Sequence, residues 1–259
     1  MKKITATGTI MFSLGMIALA IISFLSQDFI VGRPPAWPGT LHINPLFAYL
    51  SGSILIILSV AVLLRKQGYR ASLSIALVLF LCSVLRHLPQ FMADWLNSYK
   101  SIALMGGALI IAAAFTSKAQ NRQVLILTGS LCLAAFFISA GYAHFKFAAF
   151  VKDFIPAYIP AHSFFTYFCG ICLVAGGIGL FIPALNYWAA LLSGIMVLGW
   201  FILLHIPRFM ANMNDASDRM GLCESFAMAG VFFVLAGLHA KSQSSVENTK
   251  KAEDTLRIA

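Results

Sequence analysis

Charged side chains are scarce in this sequence. Asp, Glu, Lys and Arg make up 10% of its 259 residues, whereas 60% of the residues are hydrophobic. A soluble domain carries about 25% charged residues, so the composition excludes an ordinary soluble fold. Ten-residue segments of alternating hydrophobicity, which a membrane β-barrel needs, are also missing. The sequence therefore predicts an all-α integral membrane protein, with the lipid bilayer as a partner.

The excess of basic residues, a formal net charge of +9, does not indicate a nucleic-acid partner. In a multi-pass membrane protein, Lys and Arg mainly mark the cytoplasmic loops. The apolar runs are mostly about 17–21 residues long, enough for a helix to cross the bilayer. They predict eight spans, and the Lys and Arg bias places both termini in the cytoplasm, with the chain in the cell inner membrane. The predicted spans lie near 5–26, 44–64, 71–89, 101–117, 123–143, 163–183, 187–205 and 221–240.

The chain also matches itself. Phe47–Gly52 resembles Phe165–Gly170, and His87–Ala93 resembles His205–Ala211, both 118 positions further on. Each half has four predicted helices, an even number, so the two halves insert in the same orientation and form two tandem parallel four-helix repeats. The predicted units are 1–120 for the first repeat, 121–240 for the second repeat, and 241–259 for a disordered cytoplasmic tail.

A polar segment, Gly141–His162, joins the fifth and sixth predicted helices on the outer side. Within it, residues 147, 150, 151 and 154 are apolar, which is the spacing of one helix face. We expect a short amphipathic helix in the outer interface, followed by a turn back into the membrane at Pro156 and Pro160. The first half carries a matching segment, Pro34–Pro38, and the two are predicted to form short interfacial segments over the outer mouth of the bundle.

The second half holds ionisable side chains where the first half has neutral ones, and ionisable groups at membrane depth favour a functional site. Glu224, for example, is matched with Gly106 at the offset of 118. An alternative is that these side chains only cap helix ends near water, and a metal site built from the three histidines and Glu224 is a third interpretation. No catalytic residue is predicted. The candidate cofactor-binding cluster at the outer face consists of His144, His162, His205, Arg208 and Glu224.

Two of the five cysteines, Cys169 and Cys172, have the C-x-x-C spacing of thiol redox proteins. They lie inside an apolar span and lack the strand–helix setting of a soluble redox motif. Packing of small side chains between helices is therefore the main interpretation, and a redox role is the alternative.

Part of the second half resembles a known family. The motifs Gly141-Tyr-Ala-His144-Phe145, Ile155–His162 and Tyr167-Phe-Cys-Gly170 resemble the DoxX-like family of small four-helix membrane proteins, with the best match over 124–240. The family name comes from a subunit of a quinone-reducing, thiosulfate-oxidising complex. Other members are linked to redox homeostasis or to membrane-protein assembly. Leu173 stands where many members have an acidic residue, so no catalytic residue is carried over.

Two functions follow as hypotheses. The first is a redox-associated membrane subunit that holds a quinone or another small apolar molecule at the outer face, with His side chains binding the quinone carbonyls. Since the sequence has no haem, flavin or iron–sulfur signature, a redox partner subunit would supply the electron carrier. The alternative is a non-enzymatic protein, either a transporter of a small solute or a membrane-protein assembly factor. Tandem parallel halves favour transport.

Overall fold

The structure is a computed structural model that describes residues 2–28, 45–87 and 95–258. The chain in these ranges is helical, and the ranges contain no strand. One five-residue turn of π-helix, Phe201–His205, interrupts the seventh span. The α-helices are α1 (Lys2–Ser26), α2 (Pro45–Leu63), α3 (Gly68–His87), α4 (Trp95–Phe115), α5 (Ala119–Lys146), α6 (Ala148–Phe154), α7 (His162–Gly179), α8 (Asn186–Trp200), α9 (Ile206–Ala211) and α10 (Ala216–Ile258).

Eight helices of the described chain are long and apolar enough to span a membrane, which confirms the predicted multi-pass architecture. Large apolar side chains such as Leu25, Ile57 and Leu192 are more than half exposed on the outside of the bundle. Exposed apolar surface of this extent suits contact with lipid rather than water.

The two ends of the bundle differ. We call the end at which α1 begins the terminus face, and the end at which α1 ends the loop face. α1 and α10 are antiparallel, because Thr5 lies against Gly237 and Gly15 lies against Ala227. The short helix α6 and residues 155–161 lie at the loop face.

α10 is the central helix of the bundle. Within its apolar span, 72% of the residues are buried, against 22% for the span Asn186–Ala211. α10 packs along α1 and α8 and also reaches α4. Because α10 contacts α1 and α4 of the first half as well as α8 of the second half, it ties the two halves together.

Glycines set the two closest helix crossings. A Cβ on Gly230 would lie 2.5 Å from the Gly8 carbonyl oxygen, where α10 crosses α1. A Cβ on Gly129 would lie 2.7 Å from the Gly106 carbonyl oxygen, where α5 crosses α4. Both crossings bring backbone against backbone. In a membrane, where the hydrophobic effect does not drive helices together, such close van der Waals packing stabilises their association.

The seventh span is longer than predicted. His205 was expected to end this helix before Pro207, but the chain continues through the π turn and α9 to Ala211. Pro207 sits at the start of α9, where its missing N–H is tolerated. In the π turn the hydrogen bonds join residues five positions apart instead of four. The proline therefore distorts the helix without ending it.

Three other expectations have different outcomes. α6 confirms the short helix predicted before Pro156. The matching segment of the first half, Pro34–Pro38, lies outside the described residues. The backbone of the polar tail differs from the expected disorder, because α10 continues through it to Ile258.

Candidate functional site

The π turn and the proline-bounded segment after α6 are joined by a hydrogen bond. Pro207 has no N–H, so the carbonyl of Leu203 lacks the donor that an α-helix would supply four residues later. The Tyr158 hydroxyl donates to that carbonyl instead. This bond fastens the segment of residues 155–161 to the seventh span and satisfies a carbonyl that the proline leaves open.

His162 fixes the other end of the same segment. It is the first residue of α7, and its Nε2 lies 3.2 Å from the Pro156 carbonyl oxygen. Because a carbonyl oxygen can only accept, Nε2 is the donor in this bond. The preceding residue, Ala161, has a left-handed backbone with φ of 54°. A residue with a Cβ is strained in that conformation, and such strain is concentrated at functional sites.

These elements line an open cavity of about 560 Å³ at the loop face. Its volume lies within the usual range for small-molecule sites. The walls are formed by the end of α6, the proline-bounded segment and α9, and both His162 and Arg208 line it. The lining also includes the charged side chains of Lys152 and Asp153, together with aromatic and apolar groups such as Phe154 and Tyr158.

Arg208 is held by two contacts. Its Nε donates to Asp218 Oδ1 at 2.9 Å, and its guanidinium lies over the Phe154 ring, 4.3 Å from the centroid. Asp218 in turn lies in the first turn of α10, where its backbone N–H donates to Asp215 Oδ1. A carboxylate in the first turn of a helix is favoured by the helix dipole. Arg208 therefore has a fixed position at the cavity wall, with further N–H donors on its terminal nitrogens.

Glu224 belongs to a buried ion pair that the sequence analysis missed. Lys100 Nζ lies 2.6 Å from Glu224 Oε2, and the two side chains are 21% and 5% exposed. Lys100 comes from α4 and Glu224 from α10, so this pair bridges the two halves of the chain. The sequence alone does not reveal the pair, because Lys100 and Glu224 are 124 positions apart.

His205 lies between these charged groups. A Cβ placed on Gly221 would be 2.9 Å from His205 Nδ1, so the ring packs directly on the backbone of α10. Lys100 and Arg208 are both close enough to act electrostatically on the ring. The structure thus brings three of the five predicted residues, His205, Arg208 and Glu224, into one polar region.

His144 does not join that region through a direct contact. Its Nδ1 bonds the Ala140 carbonyl oxygen at 2.8 Å, and its ring stacks on Trp200 with centroids 6.4 Å apart. A Cβ added to Gly170 of α7 would lie 2.9 Å from His144 Cβ, so the side chain also packs close to α7. His144 therefore serves the packing of α5, α7 and α8, which is the structural alternative considered for it.

The metal interpretation has no geometric support. Within the described ranges, no three His, Cys, Asp or Glu side chains converge closely enough to hold an ion. All five cysteines are free thiols, so Cys169 and Cys172 form no disulfide here.

The ion pair also changes how the two halves align. In the sequence, Ser101, Ala103 and Gly106 are followed by Ser225, Ala227 and Gly230 at a constant offset of 124. Lys100 and Glu224 share that offset, and so do the contacting residues Gly107 and Val231. An alignment at this offset matches Glu224 with Lys100 rather than with Gly106, and it makes the connection before the last helix six residues longer in the second half.

No protein-family model, curated protein or solved structure matches this chain. The resemblance to the DoxX-like family accordingly stays a prediction from its sequence motifs.

Proposed function

We propose that this protein is a DoxX-like membrane subunit that binds a quinone, or a small molecule of similar polarity, in the cavity at the loop face. The observation that carries the proposal is the placement of His162 and Arg208 in one cavity whose remaining lining is mostly apolar and aromatic, with Lys152 and Asp153 as its other charged residues. A quinone needs apolar walls for its ring and hydrogen-bond donors for its carbonyl oxygens, and this lining supplies both.

The protein's own residues have separate roles in this proposal. Arg208, held by Asp218, presents a fixed donor, and His162 presents a ring nitrogen near the Pro156 carbonyl. Tyr158 holds the segment of residues 155–161 against the seventh span through its hydrogen bond to the Leu203 carbonyl. A bound quinone would supply two-electron redox chemistry, for which a partner subunit would exchange the electrons.

The test is to purify the full chain from membranes and to quantify quinone in its lipid extract. We expect quinone to co-purify with the wild type and to fall at least about tenfold in Arg208→Gln, since a hydrogen bond to a charged group contributes about 1.5–3 kcal/mol. Arg219→Gln is the matched control, because Arg219 lies on the same α10 turn as Asp218 but bonds Met213 and Asn214. Equal quinone in both variants, or none in the wild type, would contradict the proposal.

The buried Lys100–Glu224 pair favours transport of a small solute as a second candidate. Ionisable groups inside spans often mark ion pathways, and this pair bridges the two halves. Proteoliposomes with an imposed proton gradient would test it. Proton flux that is lost in Glu224→Gln supports transport, whereas flux equal to that of empty vesicles counts against it.

We also propose that the chain consists of two parallel four-helix repeats with both termini in the cytoplasm of a cell with an inner membrane. The equivalent crossings of α1 with α10 and of α5 with α4 support the repeat. The excess of Lys and Arg at the terminus face supports the orientation. Labelling of single introduced cysteines from each side of intact cells would test the orientation: a position in the turn after α2 should be protected, and one in the segment 155–161 should react.

A further inference from the structure

A second cavity, of about 680 Å³, lies at the terminus face. It is bounded by the start of α1, the turn after α2, the connection between α4 and α5, and the end of the buried part of α10. It shares no lining residue with the cavity at the loop face. We propose that this second cavity binds a phosphate group, carried by an anionic phospholipid or free in solution, between Arg65 and Arg122.

The charge of the lining has one sign. Arg65 and Arg122 both line the cavity, and its other lining residues include no Asp or Glu. Two guanidinium groups without a neighbouring carboxylate repel each other, and a bound anion removes that repulsion. Planar guanidinium groups are also the side chains best suited to bidentate phosphate binding.

Arg65 occupies a backbone position that favours glycine. Its φ is 57°, and it follows α2 where the Lys66 N–H bonds the Ala61 carbonyl and the Arg65 N–H bonds that of Val62. These two bonds are those of a Schellman cap, in which the left-handed residue is usually glycine. An arginine at this position strains the backbone, so its side chain has to contribute something that glycine lacks.

Arg122 is similarly unsuited to a purely structural role. It lies in the first turns of α5, where the helix dipole disfavours a cation. Its Nη2 donates to the Thr116 carbonyl oxygen at 2.6 Å, which fixes the guanidinium at the cavity. Its Nε is shielded from solvent and has no hydrogen-bond partner among the described residues. The guanidinium therefore has donor capacity that the protein itself leaves unused.

The remaining walls favour a lipid as the carrier of the phosphate. Ile10, Leu63 and Leu238 line the cavity, and Ile10 is 49% exposed on the side of the bundle. The two arginines lie close to helix ends, while the apolar wall continues along the spans. One molecule with a phosphate and an acyl chain matches both parts of the lining.

The experiment uses the purified full chain in neutral detergent. Native mass spectrometry follows the titration of dioleoyl phosphatidylglycerol, with dioleoyl phosphatidylcholine and inorganic phosphate as separate arms. We expect phosphatidylglycerol to bind at least about tenfold more tightly than phosphatidylcholine. Competition by millimolar inorganic phosphate would assign the site to free phosphate, and no competition would assign it to the lipid.

Arg65→Gly separates binding from folding. Glycine relieves the left-handed strain, so the melting temperature should stay equal or rise while phosphatidylglycerol affinity falls at least about tenfold. Lys66→Ala, which removes an exposed charge from the same turn but not from the cavity, is the matched control and should keep its affinity. Arg122→Gln should weaken binding like Arg65→Gly. Equal affinities in Arg65→Gly and Lys66→Ala, or equal binding of the two lipids, would overturn the proposal.

Discussion

The α1–α10 and α5–α4 contacts are alike in their packing and differ in their surroundings. Both bring two glycines together, Gly8 with Gly230 and Gly129 with Gly106, and both place backbone against backbone. Each pairs the first helix of one half with the last helix of the other. The likeness shows that the glycine positions serve the assembly of the bundle, whichever half they belong to.

The contact between α4 and α10 shows where the halves differ. These two helices are parallel and meet at positions with the same offset, yet one contributes Lys100 and the other Glu224. Asp218, which bonds Arg208, is matched at this offset by Asp94, a residue outside the described ranges, whereas Arg208 is matched by Gln90 at the offset of 118. The comparison separates the glycine contacts that the two crossings share from the charges that differ between α4 and α10, and it predicts which substitutions cause the largest effects.

The largest effect is expected for Glu224→Ala. It leaves the Lys100 ammonium without its partner in a mostly buried position, which destabilises proteins by about 3–5 kcal/mol. Thermal unfolding in detergent, monitored by size-exclusion chromatography, measures the loss. If positions 100 and 224 are equivalent, the exchanged pair Lys100→Glu with Glu224→Lys should regain most of the stability. An exchanged protein as unstable as the single variant would break the equivalence.

The next largest effect is expected for Gly230→Ala. The new Cβ would lie 2.5 Å from the Gly8 carbonyl oxygen, and such overpacking against backbone costs about 1–3 kcal/mol. Gly129→Ala at the corresponding crossing should cost a similar amount. Gly199→Ala is the control, because no described atom lies within 4 Å of its added Cβ and alanine favours the helix by about 0.5–1 kcal/mol. A difference of more than about 2 kcal/mol between the two crossings would show that they are not equivalent.

Tyr158→Phe tests whether the Tyr158 hydrogen bond stabilises the protein only because Pro207 lacks an N–H. The change removes the donor to the Leu203 carbonyl and should cost about 1 kcal/mol. In a Pro207→Ala background the helix regains its own N–H donor, so the same change should cost close to nothing. The double-mutant cycle on melting temperature measures this coupling. Equal costs in both backgrounds would show that Tyr158 and Pro207 act independently.

The smallest effect is expected for Ala161→Gly. Its φ of 54° strains alanine, so glycine should stabilise the protein by up to about 1 kcal/mol, or a few degrees in melting temperature. Ala157→Gly, in the same segment but without a positive φ, should not stabilise it. A destabilised Ala161→Gly would mean that the backbone of residue 161 is not strained.

The sequence was informative about the spans because lipid imposes a simple requirement, a long apolar helix. The spacing of apolar residues also predicted α6. The contacts between helices were harder to predict, because they depend on the register of small residues that hydropathy does not reveal. The cluster of five side chains at the outer face stays a prediction, and His144, one of the five, packs against Trp200.

Two features could not be predicted from the sequence, for physical reasons. Pro207 was read as the end of a helix, but the π turn and the Tyr158 hydroxyl compensate for its missing N–H. Lys100 was overlooked because a buried pair joins residues that are remote in the chain. A comparison of the fourth and eighth helices at the offset of 124, anchored on Gly106 and Gly230, would have found it.

The Lys100–Glu224 pair has a consequence for how the two halves recognise each other. If each half were a separate chain, two copies of the first would set lysine against lysine, and two copies of the second would set glutamate against glutamate. Only a mixed dimer would place opposite charges 2.6 Å apart. A chain cut in the short connection between α4 and α5 should therefore reassemble as one copy of each half, with self-pairing suppressed by like-charge repulsion.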